Sequence, residues 1–141
     1  MYVDLHPLIT HFPIGLLILS YGFQIITVFK PNIVPKNLTV WALIPGALST
    51  IPSAISGNYS AKKLNDICHE AQQTLINHER FANFTTWGVL LITLIWIWVI
   101  LKEKADQKAQ ELFLAFFTLI FISICITGYL GGTLVHKWNV H

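Results

Sequence analysis

Charge is what this chain has least of: 11% of its 141 residues are Asp, Glu, Lys or Arg, against roughly 25% in a soluble domain. So little charge cannot cover a water-facing surface, and 54% of the residues are hydrophobic. The formal net charge is only +2, and no basic cluster interrupts the sequence. Nucleic acid is therefore excluded as a partner. Cysteine is nearly absent. Cys68 and Cys125 form neither a Cys-x-x-Cys-His haem attachment nor a paired zinc motif. Cys125 falls inside an apolar run and reads as a buried, inert thiol. No Ser/His/Asp grouping, phosphate-cradling glycine loop or paired carboxylate is present. No acid lies inside an apolar run, which argues against a proton-coupled transporter. The first ten residues hold no Lys or Arg, and no small-residue cleavage motif follows them, so no cleavable signal is read.

What is present is length and apolarity in four runs. A membrane-spanning helix needs about 20 apolar residues. The runs lie near Phe12–Phe29, Leu38–Ser56, Phe81–Leu101 and Leu112–Leu134. The expected fold is all-α: an integral membrane four-helix bundle, with residues 1–141 as one domain. Lys30-Pro31 and Pro35-Lys36 close the first run and restrict the turn. Residues 102–110 are too polar for lipid. Pro45 and Pro52 are expected to bend the second span.

Four spans place both termini on one side, together with the long 58–80 connection. All six histidines fall there: His6, His11, His69, His78, His136 and His141. The opposite side carries Lys30, Lys36, Lys102, Lys104 and Lys108 in two short loops. Lysine-rich short loops face the cytoplasm. The expected orientation therefore puts the short loops in the cytoplasm and the termini and histidines outside. Trp41 and Trp98 mark one interface, and Trp87 and Trp138 the other.

Within the 58–80 connection, Leu64, Cys68, Ala71, Leu75, His78 and Ala82 recur every three or four residues. On a wheel of 100° per residue they fall within about 80°. This predicts a surface amphipathic helix between spans 2 and 3. His78 should face the bundle, and His69 should face water.

The opening segment reads LHPLITHFPIGLL. Pro7 suits a first helical turn. His11 then stands above Gly15, Ile18 and Gly22 at helical spacing. The fourth span repeats the pattern with Cys125, Gly128, Gly132 and His136. Small faces admit another helix or something flat. Haem b is held in many membrane cytochromes by two axial imidazoles in a narrow apolar slot. The expected cofactor is haem b, with His11 and His78 as the axial pair and His6 and His136 in reserve. Gly15 and Gly132 would open the slot, and Arg80 would meet the propionates. Copper or zinc on the same histidines is the alternative. A third reading is a non-catalytic subunit or assembly factor, whose Gly-rich faces pack against a partner helix or form a homo-oligomer. Electron transfer or binding is favoured over enzymatic turnover.

The LHPLITHFPIGLL opening resembles a family of small bacterial four-helix membrane proteins, the domain of unknown function DUF2231. Its members begin Leu-His-Pro-(x)3-His-Phe-Pro-Ile. The likeness runs along the whole chain: SAISG at Ser53–Gly57, a histidine before the third span at His78, and a Gly-Gly-x-Leu-Val pattern at Gly131–Val135. Where the family often has Tyr after Leu-Val, this chain has His136. Some relatives are joined to Rieske-type iron–sulfur domains. The resemblance thus implies a redox setting, with a Rieske-type or cytochrome protein as partner beside the lipid bilayer.

Overall fold

The computed structural model describes residues 6–33, 35, 37–62, 64 and 68–138. Four helices form among them: α1 (His6–Phe29), α2 (Leu38–Lys62), α3 (His69–Leu101) and α4 (Gln107–Trp138). All four are long and apolar enough to cross a membrane. The bundle is all-α, as expected. α3 and α4 have 33 and 32 residues. At 1.5 Å per residue that is about 50 Å, well beyond a hydrocarbon core of about 30 Å.

The helices run longer than the apolar runs because polar residues extend each one past the lipid level. The expected surface helix takes a different form from the one predicted. Residues 69–80 are helical, but they continue without a break into the third span. The segment therefore stands along the bundle as the first turns of α3. Ala71 is buried, and Leu75, His78 and Ala82 are half-buried, while His69, Glu70, Gln72 and Gln73 are exposed. The inward stripe is as the wheel predicts from Ala71 onward. Cys68 is exposed and precedes the helix.

The turns follow local chemistry. Asp106 caps α4 by accepting from the Ala109 amide at 2.8 Å. α3 ends when Glu103 adopts a left-handed φ of 54°. Its amide and that of Lys104 then bond back to Ile100 and Val99. α2 is helical through both Pro45 and Pro52. Both prolines sit on exposed positions.

α1 packs chiefly on α2, and α3 on α4; the hairpins then meet as α1 on α4 and α2 on α3. α1 and α3 stand diagonally across the bundle. The core clusters around Leu17, Leu43, Val89, Phe117, Ile120 and Ile124. Trp96 stacks on Phe113 at 4.3 Å, and Tyr21 stacks on Phe121 at 4.3 Å. Aromatic payload therefore sits in the half of the bundle nearer the lysine-rich loops. Trp41, Trp87 and Trp98 are exposed, as interfacial side chains are.

Cys125 is exposed on α4, not buried as expected. In a membrane an apolar neighbourhood does not imply burial, since lipid is itself apolar. The Gly15, Gly22, Gly128 and Gly132 faces are open as well: a methyl built on any of them meets nothing within 4 Å. Close packing falls instead on Gly46, Gly57, Gly88 and Gly131.

Candidate functional site

α1 begins, α2 ends, α3 begins and α4 ends at one end of the bundle, and every described histidine lies toward that end. His141 lies outside the described residues. Two of the histidines are built into helix–helix contacts.

His78, before the third span, turns toward α4. Its Nδ1 lies 3.0 Å from the Thr127 carbonyl. A carbonyl only accepts, so Nδ1 carries the proton and Nε2 is the unprotonated nitrogen. The ring rests on Gly131, where a methyl would stand 3.1 Å from Cε1. The α3–α4 register that brings it there is fixed about two turns deeper. Thr85 and Ser123 share a hydroxyl–hydroxyl bond of 2.7 Å, and the Thr127 hydroxyl donates to the Ser123 carbonyl. Burial pushes the His78 imidazole below its ordinary value of 6.5, against the opposing pull of the Thr127 carbonyl and Glu79. The ring is therefore uncharged at neutral pH.

His6 opens α1 and turns toward α2. Its Nδ1 lies 2.8 Å from the Ser56 hydroxyl. That hydroxyl donates to the Ser53 carbonyl at 2.8 Å. Its one proton is committed, so it accepts from His6, and Nδ1 again carries the proton. The ring rests on Gly57, where a methyl would stand 2.9 Å from Cε1. For His78 this tautomer leaves an unprotonated Nε2. Metal-bound histidines are commonly held in this way, with the second nitrogen donating to a carbonyl or its equivalent.

The other expected residues lie elsewhere. His11 is exposed, on the same outward face of α1 as Gly15 and Ile18. α1 and α3 are diagonal, so His11 and His78 do not share a helix contact. His136 is exposed near the end of α4, and Lys137 lies 4.5 Å above the Trp138 ring. Arg80 is exposed and is about 200° around the α3 wheel from His78. Gly132 borders Gly131 but faces open space. No group of three or more His, Cys, Asp or Glu side chains is assembled among the described residues.

Sequence reading missed the partners. Ser56 and Thr127 carry the two rings, and Ser123 sets the register. Their only signal is hydroxyl residues at helical spacing next to glycine. A buried amide pair was missed too. Gln24 is 0% exposed and donates to the Gln110 side chain at 2.8 Å. This pair ties α1 to α4 near the lysine-rich loops, far from the histidines. Two shallow hollows also lie at that end. One, of about 370 Å³, is lined by Val28, Phe29, Gln107, Glu111, Leu114 and Ala115. The other, of about 300 Å³, is lined by Asn37, Ile100, Glu103, Ala105 and Gln110. Neither includes a histidine.

No curated protein and no solved structure matches the chain. A family described as a predicted membrane protein matches residues 3–141, almost the entire sequence. With four apolar helices in place and the whole length matched, the chain belongs to the membrane protein family DUF2231.

Proposed function

We propose that this protein is a haem b-binding membrane subunit that passes electrons near the outer membrane face. The observation that carries this reading is the holding of His78. Its ring is uncharged, its Nδ1 is committed to a backbone carbonyl, and Nε2 is the nitrogen left for a metal. The second imidazole comes from α1, which carries His6 and His11. The donor set fits two neutral axial imidazoles. Two anchored rings, with no cluster of three or more ligands among the described residues, suit haem better than a structural zinc site, which takes four protein ligands. When bound, haem supplies one-electron chemistry. The Thr127 carbonyl fixes the His78 tautomer.

The orientation belongs to the same reading. Lysines in the two short loops support a cytoplasmic position for those loops in a bacterial inner membrane. The histidine end then faces outward, where a Rieske-type or cytochrome partner would exchange electrons with it. A visible spectrum of detergent-purified protein tests the proposal. Reduced bis-imidazole haem b gives a sharp alpha band and extracts into acidified organic solvent. Protein that remains colourless after production with ample haem would refute it. Stoichiometric copper or zinc in that colourless protein would favour the metal alternative. Metal-free, folded protein would favour a structural subunit.

A further inference from the structure

We infer that the chain is two copies of one helical hairpin, and that His6 and His78 are equivalent ligands through which one planar cofactor bridges the two copies. The ligand half of this inference rests on the haem reading above. The repeat half stands on the sequence and the fold alone.

The first helices of the two hairpins superpose at a shift of 72 residues, the separation of His6 and His78. Phe12 then meets Phe84, Leu19 meets Leu91, and Ile25 meets Ile97. The helices end together, at Phe29 and Leu101, each followed by a lysine, Lys30 or Lys102. Buried positions coincide: Leu17 with Val89, Gln24 with Trp96. The second helices superpose at a shift of 74, the separation of Gly57 and Gly131. Leu43 falls on Phe117, and Thr50 on Ile124, all buried. The two-residue difference falls between the aligned segments, where α4 begins five residues ahead of Leu112, the equivalent of Leu38.

A contact unrelated to residue matching gives the same equivalence. Gly57 is the glycine beneath His6, and Gly131 is the glycine beneath His78. The anchors agree as well. The shift of 74 maps Ser53 onto Thr127. His78 is held directly by the Thr127 carbonyl. His6 reaches the Ser53 carbonyl through the interposed Ser56 hydroxyl. Each ring therefore hangs on the same carbonyl of its own repeat.

The packing has the matching symmetry. Each hairpin packs on itself, and the cross-contacts are α1 on α4 and α2 on α3. An approximate twofold axis along the bundle exchanges those two contacts. It places His6 and His78 at one level on the diagonal helices α1 and α3. A haem iron with two axial imidazoles has this same symmetry, one equivalent donor on either side of the ring plane. One turn deeper, the half-buried residues are small: Thr10, Ser53, Ala82 and Thr127. The core cluster begins further down, at Leu17 and Val89, and above it Leu134 of α4 is also buried. His11 does not take part. Its equivalent is Asn83, and both are exposed.

The test is a set of single replacements in the full chain, purified in detergent after expression with added haem, and read by optical and low-temperature EPR spectra. His6→Ala and His78→Ala should each lose the six-coordinate low-spin signature. Added imidazole should restore it in both, which a purely structural role would not allow. His11→Ala should keep the wild-type spectrum. If an alanine variant does not fold, His6→Met or His78→Met keeps a ligand and should give a shifted but still low-spin spectrum. Loss of low-spin haem in His11→Ala, with retention in His6→Ala, would overturn this assignment and leave the haem proposal standing. A wild-type protein without haem would overturn both.

Discussion

Gly131 and Gly132 are adjacent, yet replacing each with alanine should move stability in opposite directions. In a helix interior alanine is favoured over glycine by about 0.8–1.0 kcal/mol. At Gly132 nothing lies within 4 Å of the added methyl, so that gain should be kept. At Gly131 the methyl would stand 3.1 Å from Cε1 and 3.5 Å from Nδ1 of His78. The ring must give by a few tenths of an ångström, and it is already tied to Thr127 at 3.0 Å. Overpacking of this kind costs about 1–3 kcal/mol, and the weakened hydrogen bond belongs within that cost. The net expectation is a loss of about 1 kcal/mol for Gly131→Ala and a gain of similar size for Gly132→Ala. The two variants should therefore differ by about 2 kcal/mol. Thermal or denaturant unfolding in one detergent, with haem content measured alongside, is the assay. Haem occupancy should fall in Gly131→Ala only. Equal shifts of the same sign would refute the claim that Gly131 alone cradles the imidazole.

Other outcomes follow from the same geometry. Because the folded protein holds the His78 pKa below 6.5, the unfolded chain takes up the proton first. The contribution of the neutral ring is full above that value and is lost as pH falls below it. Unfolding of haem-free protein, measured from pH 8 down to 5, should show this loss in the wild type and a flatter profile in His78→Gln; identical profiles would refute it. Topology can be read by cysteine labelling. Gln72→Cys should label from outside and Gln107→Cys from the cytoplasm; labelling from one side would break the four-span arrangement, and exchanged sides would reverse the orientation.

The spans were legible because lipid imposes a length: about 20 apolar residues are needed whatever the tertiary contacts. The contrast between His69 and His78 was legible for a similar reason, since helical periodicity alone separates them by nine residues of rotation. The cradles were not legible. Gly131 and Gly132 look alike in sequence, and only the α3–α4 register decides which one meets a ring. The same holds for Ser56 and Thr127, whose roles arise from packing against histidines 50 and 49 positions away in sequence. Cys125 misled because apolar flanks signal burial in water but not in lipid. The Gln24–Gln110 pair was hidden because each glutamine reads alone as an ordinary polar residue near a span end.

The bundle divides its labour along its length. Toward the lysine-rich loops, stacked rings and a buried amide pair lock α1 to α4 and α3 to α4. Toward the histidines, small residues and hydroxyls replace them, and contacts become single hydrogen bonds to a backbone carbonyl or between hydroxyls. Such contacts hold orientation while contributing little apolar burial. Stability and ligand holding are therefore supported by different residues. Changes at Ser56 or Thr85 should disturb the histidines without unfolding the chain, because the aromatic layers below do not depend on them. Under the haem proposal, that separation would let the upper end admit a flat ligand between the hairpins while the lower end keeps them together.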